Sequence, residues 1–329
     1  MTIERVGVIG AGAWGTALAQ TAANGGREVL LWAREPDVVE SVNATHENAV
    51  FLPGQGLDPS IRATGNLAEL RDCHALLVVT PAQHMRNILS ELTDCGQPLI
   101  LCSKGIEGES GALLHQVARQ ICPASDVMVL SGPTFAHEVA AGLPTALTLA
   151  AEDQKLAETV RDRLALPEFR IYLSDDVAGA EVGGAVKNVL AIACGVVEGK
   201  RLGQNARAAL IARGFAEMTR FGLAFGARRE TLAGLCGLGD LVLTCSSTSS
   251  RNFSLGKAIG EGRRAAELMA NRKTVAEGAF TAPVLHRLAE ERGIDMPIVA
   301  AVNALLSDEA GVDEVLERLL SRPLRPEAH

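Results

Sequence analysis

The stretch RVGVIGAGAWG at residues 5–15 constrains this chain more than any other. Its first six residues form an apolar run of strand length that ends in glycine, and the helical pattern WGTALAQTAANG (14–25) follows at once. Gly10, Gly12 and Gly15 fall in the spacing G-x-G-x-x-G across that junction. Gly10 permits the tight turn, Gly12 lets the backbone approach a pyrophosphate, and Gly15 lets helix and strand pack closely. The helix N-terminus then receives the phosphate charge. In a chain with 33 glycines the spacing alone is weak; a first strand before it and a helix after it make it specific. The stretch predicts a dinucleotide-binding α/β domain.

The segments that follow keep this alternation. EVLLWAR (28–34), HALLVVTP (74–81), PLILCSKG (98–105) and DVMVLSGP (126–133) are short apolar runs closed by glycine, proline or small polar residues, with helical segments such as GALLHQVARQI (111–121) between them. Unbroken apolar strands alternating with helices describe a doubly wound, mostly parallel sheet of Rossmann type, covered on both faces. PTALTLAAE (144–152) and FRIYLSDD (169–176) extend the sheet, in a direction the sequence leaves open. Beyond about residue 178 the segments 178–200, 206–225, 254–260, 264–271, 281–292 and 297–307 read as helices, with no strand among them. The expected organisation is a dinucleotide-binding domain over 1–178 and an all-α domain over 179–329.

Bulk properties exclude other classes. With 31 basic against 39 acidic residues and 3% aromatics, the chain suits neither polyanion binding nor base stacking, so no nucleic-acid partner is expected. Seven cysteines, none in a C-x-x-C pair and several inside apolar runs, give no disulfide framework and no zinc site. They fit a reducing cytoplasm. The first strand begins too near the N-terminus for a signal peptide, and no apolar run approaches the length that spans a bilayer. A cytoplasmic protein without metal and without integral membrane association is expected.

The choice of dinucleotide turns on the end of the second strand. An NAD site places an acidic residue there; this chain has Trp32-Ala33-Arg34, with Glu35 one position later. Arg34 suits a 2′-phosphate and can stack on adenine, or it stands as a solvated loop arginine. NADP(H) is favoured and NAD(H) stays open. Other strand ends, where open α/β sheets bind ligands, carry Lys104 in SKG (103–105) and the segment SGPTFAHEVAAG (131–142). The latter offers Gly132 for backbone approach and Thr134 as a hydroxyl near a helix start, or as a plain N-cap. In the second half, CGLGDLVLTCSSTSSRNFSLG (236–256) gathers Asp240, several hydroxyls and Ser250-Arg251-Asn252. The forked donors of Arg251 fit a phosphate, with Ser250 and Asn252 alongside. A flexible polar loop with an aspartate cap is the alternative.

The apolar helix VGGAVKNVLAIACGV (182–196) carries Lys187 and Asn188 in its middle. Burial there disfavours the charged ammonium, and a lysine brought near neutrality is a credible general acid or base. A lysine that snorkels to water or pairs with a carboxylate is the rival. Gly183-Gly184, one turn earlier, leave room for a ligand or another backbone to approach.

With these residues in place, the sequence resembles the bacterial NAD(P)-dependent glycerol-3-phosphate dehydrogenases nearly end to end. GAGAWGTALA (10–19), ENAVFLPG (47–54), SKG (103–105), SGPTFAHEVAAGLPTA (131–146), EVGGAVKNVLAIACGVVEG (181–199), GLGDLVLTCSSTSSRN (237–252) and VAEG (275–278) occur in order. The resemblance implies reversible reduction of dihydroxyacetone phosphate to sn-glycerol 3-phosphate for phospholipid synthesis, and a helical C-terminal domain like that of 6-phosphogluconate dehydrogenase. It implies that Lys187 is the catalytic proton acceptor in the oxidation direction. Lys104, Gly132, Thr134, Lys187, Asp240, Ser250, Arg251 and Asn252 match substrate-binding positions. Ala13, Trp14, Arg34, Lys104, Ala136, Arg251, Val275 and Glu277 match cofactor-binding positions, beside Gly10, Gly12 and Gly15. Relatives can carry serine where Ala13 stands, so only a backbone contact is expected there. A homodimer is the family's habit. Two rivals are weighed. A 3-hydroxyacid or 6-phosphogluconate-type dehydrogenase would need a carboxylate-binding set and a decarboxylation acid, neither of which is identified. A non-catalytic NADP(H) sensor would not need Lys187, Asp240 and Ser250-Arg251-Asn252.

Overall fold

The computed structural model describes residues 3–92, 96–270 and 276–323. The chain forms two compact units, one of residues 1–184 with 222–240 and the other of residues 185–221 with 241–329. A short return segment, 222–240, thus belongs with the N-terminal part.

In the first unit the strands are β1 (Arg5–Ile9), β2 (Glu28–Trp32), β3 (Glu47–Asn48), β4 (Leu52–Gly56), β5 (Ile61–Thr64), β6 (Ala75–Val78), β7 (Leu99–Leu101), β8 (Val127–Ser131), β9 (Thr145–Ala151) and β10 (Phe169–Ser174). Eight of them make one sheet in the order β10-β9-β8-β7-β6-β1-β2-β5. Each neighbouring pair is parallel except β8 and β9. The direction left open for the strands beyond residue 144 is therefore antiparallel at β9, with β10 parallel to β9. The sheet is of the expected doubly wound, mostly parallel kind. A separate antiparallel hairpin, β3–β4, was not foreseen, because LPGQG lacks both apolar alternation and β-branched residues.

Helices α1 (Ala13–Asn24), α2 (Pro36–Thr45), α3 (Met85–Ser90), α4 (Leu114–Ile121), α5 (Ala136–Ala140) and α6 (Gln154–Leu164) connect these strands. Successive strand residues point to opposite faces, which divides the core in two. Val8, Leu31, Leu77 and Met128 pack with Ala17 and Leu18 of α1 and Val160 of α6. Ile9, Leu30, Leu76 and Leu101 pack with Met85 and Leu89 of α3 and Leu114 and Val117 of α4. Strand order reverses at β1, which lies between β2 and β6. Doubly wound sheets bind ligands at the carboxyl ends of strands at such a point.

The remaining helices are α7 (Val177–Gly199), α8 (Gln204–Ala224), α9 (Arg229–Leu232), α10 (Asp240–Thr244), α11 (Arg251–Gly260), α12 (Ala265–Ala270), α13 (Glu277–Glu291), α14 (Pro297–Leu306) and α15 (Val312–Leu320), with a π-helical turn at Leu235–Gly239. No strand lies among the described residues of this part. Asp176 fixes the start of α7: Oδ1 accepts from the Gly179 amide and Oδ2 from the Arg228 amide, each at 2.8 Å. Glu181 ties α7 to α4, accepting from the His115 amide at 2.8 Å and lying 2.6 Å from its Nδ1.

One expectation needs correction. At 23 residues α7 is long and apolar enough, by length and composition, to cross a bilayer. Glu181 and Lys187 divide the sequence into shorter apolar runs, but the helix continues through both. Its apolar window is wholly buried inside the protein, as in the core helix of a folded domain. In the second unit, Glu217 of α8 caps α14. Its carboxylate accepts from the amides of Ile298 at 2.8 Å and Val299 at 3.2 Å.

Candidate active site

The glycine-rich turn joins β1 to α1 at the point of strand reversal. Its three glycines divide by physical role. Gly10 has φ +113°, and a Cβ there would lie 3.0 Å from the Val79 carbonyl oxygen. A Cβ at Gly15 would be driven into the Gly10 carbonyl oxygen. Both glycines are required by the fold itself. Gly12 is exposed, and a Cβ there would meet nothing within 4 Å. No contact in the protein demands glycine at that position, so the open space is a cradle that a Cβ would fill.

Gly12 is also the N-cap of α1, with no side-chain cap and no acidic residue in the first turn. The positive end of the helix is left for an external anion. The Trp14 indole Nε1 is buried without an acceptor among the described residues, as are the Thr80 and Ser131 hydroxyls at or after the ends of β6 and β8. The other such atoms among the described residues are His46 Nδ1 and Gln97 Oε1; buried orphans of this kind are unusual in a bare protein core. The turn, its helix and the orphans at Trp14, Thr80 and Ser131 fit a dinucleotide. Arg34 is exposed just beyond β2 and bonds Glu35 Oε1 at 3.2 Å. Ala13 and Ala136 are the first residues of α1 and α5, which pack together.

The same unit assembles Lys104, Gly132 and Asp240. Lys104 Nζ donates to Asp240 Oδ2 at 2.7 Å and to the Gly132 carbonyl at 3.1 Å. The Asp240 side chain is fully buried and that of Lys104 is 14% exposed. Asp240 therefore opens a helix and pairs a lysine, rather than capping a flexible loop. Thr134 makes a long bond from its hydroxyl to the Gly132 carbonyl, 3.4 Å, and does not cap α5, whose N-cap is Phe135.

Gly183 and Gly184 bring these parts together. A Cβ at Gly183 would overlap the Cys236 carbonyl oxygen in the π-turn that leads to Asp240. A Cβ at Gly184 would lie 3.1 Å from Ser131 Oγ and 3.4 and 3.6 Å from Cγ and Cδ of Lys104. Burial pushes the Cys236 thiol up to about 11 and the Cys102 thiol beyond that, so neither supplies a thiolate nucleophile.

In the second unit Lys187 is buried, 5% exposed, with Nζ donating to Thr244 Oγ1 at 2.9 Å. Thr244 sits at the end of α10, within the quoted stretch GLGDLVLTC but not singled out by sequence reasoning. Its signal was the spacing of four residues from Asp240, one helical turn. Ser250 caps α11, its Oγ accepting from the Phe253 amide at 3.2 Å. Arg251 is the first, exposed residue of that helix, and Asn252 follows it buried. Asn252 donates to Asn188 Oδ1 at 3.0 Å and accepts from the Gly278 amide at 2.9 Å, beside Glu277. Ser250, Arg251 and Asn252 thus stand at a helix N-terminus rather than in a loop. Val275 lies outside the described residues. Among the described residues no group of three or more His, Cys, Asp or Glu side chains is arranged to hold a metal ion.

Comparison with known proteins bears directly on this geometry. Residues 5–157 match the N-terminal and residues 176–317 the C-terminal model of NAD-dependent glycerol-3-phosphate dehydrogenase. The chain belongs to that family. A glycerol-3-phosphate dehydrogenase [NAD(P)+] of Erythrobacter litoralis is 64% identical over 327 residues, covering 99% of this chain and 98% of the relative. One from Novosphingobium aromaticivorans is 63% identical over 330 residues, with 99% of each chain covered. The crystal structure of the glycerol-3-phosphate dehydrogenase of Coxiella burnetii superposes with a TM-score of 0.93 at 37% identity, over 97% of this chain and 99% of that one. These matches place an NAD(P)-dependent glycerol-3-phosphate dehydrogenase fold, Rossmann-like and then helical, over the whole chain. They favour neither the hydroxyacid dehydrogenase nor the non-catalytic sensor.

Proposed function

We propose that this chain catalyses the reversible reduction of dihydroxyacetone phosphate to sn-glycerol 3-phosphate with NAD(P)H, supplying phospholipid synthesis, and that Lys187 is its proton-transfer group. The observation that carries the role of Lys187 is its placement. An ammonium on an apolar helix, 5% exposed, is held by the Thr244 hydroxyl at 2.9 Å. That placement holds a proton donor within the fold, which is what a developing alkoxide on the substrate requires.

The bound nicotinamide supplies the hydride. Lys187 gives a proton to the C2 oxygen during reduction and accepts it during oxidation. Thr244 accepts one Nζ hydrogen bond and so helps to orient the Lys187 side chain. Lys104 has two of its three N–H groups committed to Asp240 and Gly132, and its third serves the substrate, with Gly132 and Thr134 alongside. Ser250, Arg251 and Asn252 hold the substrate phosphate at the start of α11, where helix dipole and guanidinium act together. That remote binding orients the reacting carbonyl.

The turn through Gly10, Gly12 and Gly15 holds the dinucleotide, with Ala13, Trp14 and Ala136 beside it. Arg34 reads a 2′-phosphate, so NADP(H) is preferred over NAD(H). By family resemblance Lys104, Arg251, Val275 and Glu277 complete the cofactor set. The functional division falls at 178/179, with the dinucleotide site before it and the proton donor and phosphate site after it. We assign the chain to the cytoplasm as a homodimer, without nucleic-acid or membrane partners. Its described cysteines, all buried free thiols, support a reducing compartment.

Initial rates of NADPH and NADH oxidation test this reading, with dihydroxyacetone phosphate and with unphosphorylated dihydroxyacetone as substrates. Rapid oxidation with the phosphate ester is expected, and loss of turnover as well as affinity without it. Comparable turnover on both substrates, or silence in protein that binds the cofactor, would overturn it.

A further inference from the structure

Asn48 belongs to ENAVFLPG, a stretch that the proposed chemistry does not use. It sits in β3, outside the main sheet, and is completely buried. Its Nδ2 donates to the Ala11 carbonyl oxygen and to Thr16 Oγ1, each at 2.8 Å. Its Oδ1 accepts from the Phe51 amide at 3.0 Å. Thr16, also fully buried, adds a weaker bond from Oγ1 to the same Ala11 carbonyl, at 3.3 Å. A second tie joins the chain after the hairpin to α1, the Asp58 amide donating to Gln20 Oε1 at 2.8 Å.

Ala11 lies between Gly10 and Gly12. In a planar trans peptide the carbonyl of one residue and the N–H of the next point in opposite directions. Holding the Ala11 carbonyl inward therefore turns the Gly12 N–H outward, at the one fingerprint glycine with open space around it. A backbone amide aimed at an anion is worth most when its orientation is fixed before binding. We propose that Asn48 is a positioning residue for the dinucleotide pyrophosphate, acting through the Ala11–Gly12 peptide plane with Thr16 as its helper. The proposal rests on the reading of the glycine-rich turn as the cofactor site.

Asn48→Asp keeps the acceptor for the Phe51 amide but sets a carboxylate oxygen against the Ala11 carbonyl, so the plane must turn. Dissociation constants for NADH and NADPH are measured by nicotinamide fluorescence on the substrate-free protein. Asn48→Asp is expected to weaken both by tenfold or more, and equally, since the pyrophosphate is common to both. At saturating cofactor, kcat and the KM for dihydroxyacetone phosphate stay within about threefold. A merely structural role would lower the melting temperature without this selectivity. Thr16→Val, which is neutral, removes one of the two acceptors and is expected to weaken both dinucleotides severalfold, with Thr16→Ser restoring binding. This second series decides the matter if Asn48→Asp does not fold. Gly12→Val separates the two readings. Normal NADH binding by that variant removes the cofactor site and the proposal with it. Lost binding there, with wild-type binding in Asn48→Asp or in Thr16→Val, overturns the role of Asn48 alone.

Discussion

Adjacent glycines on one helix should answer the same substitution in opposite ways. Gly183→Ala and Gly184→Ala both gain about 0.8–1 kcal/mol of helix propensity. At Gly183 the added Cβ overlaps the Cys236 carbonyl, a backbone atom of the π-turn with no rotamer to yield. Overpacking of this kind costs about 1–3 kcal/mol, and against unyielding backbone the upper end applies, so a net loss approaching about 2 kcal/mol is expected in urea unfolding. At Gly184 the tightest contact is Ser131 Oγ at 3.1 Å, a hydroxyl without a partner. It can turn aside, and stability should stay within about 1 kcal/mol of wild type. The Lys104 stem, at 3.4 and 3.6 Å, is at ordinary van der Waals distance from that Cβ, so Lys104 should keep its place and the KM for dihydroxyacetone phosphate should change little. A Gly183→Ala protein as stable as Gly184→Ala would refute this account of α7.

Other consequences follow from single groups. Burial pushes the Glu217 carboxyl up to about 7, against the opposing pull of the Ile298 and Val299 amides. The folded protein then holds a proton that the unfolded chain has released above its ordinary 4.5. Stability from this group is full below that value and is lost as pH rises toward 7, on the order of 3 kcal/mol at most. Glu217→Gln should abolish that difference in urea midpoints between pH 4.5 and 7, and an unchanged slope would count against it. Asp240→Asn breaks the buried pair with Lys104 and should cost about 3 kcal/mol. Because the two residues share one interaction, the double variant with Lys104→Met should cost less than the sum, and strict additivity would contradict the pairing. Arg34→Ala should lower the NADPH-to-NADH ratio of kcat/KM by about tenfold, in line with a charged hydrogen bond of about 1.5 kcal/mol. An unchanged ratio would leave Arg34 a solvated loop residue.

The doubly wound sheet was legible because its strands are unbroken apolar runs, and those of 5–10, 28–34 and 126–133 needed only trimming at their ends. The β3–β4 hairpin was not, since its residues carry no period and its contact with the glycine-rich turn runs through one buried side chain, Asn48. For the site, residue types and strand ends marked Lys104, Gly132 and Lys187, but the partners were hidden. Asp240 reaches Lys104 across 136 residues of sequence, and Thr244 meets Lys187 across 57. Such pairings come from tertiary packing, which local pattern does not encode. The expectation that no apolar run approaches bilayer length missed α7 for a related reason. Charges that interrupt an apolar run on paper are accommodated when their partners lie inside the fold, as His115 does for Glu181.

The role of Lys187 is tested most directly by turnover of Lys187→Ala with dihydroxyacetone phosphate at saturating NAD(P)H, with the cofactor dissociation constant measured on the same preparation. Loss of a general acid and oxyanion stabiliser predicts a fall in kcat of about 10²–10⁴-fold with cofactor binding nearly unchanged. Near-normal turnover in a folded, cofactor-binding variant would contradict the proton-transfer role and leave Lys187 a buried structural lysine on Thr244.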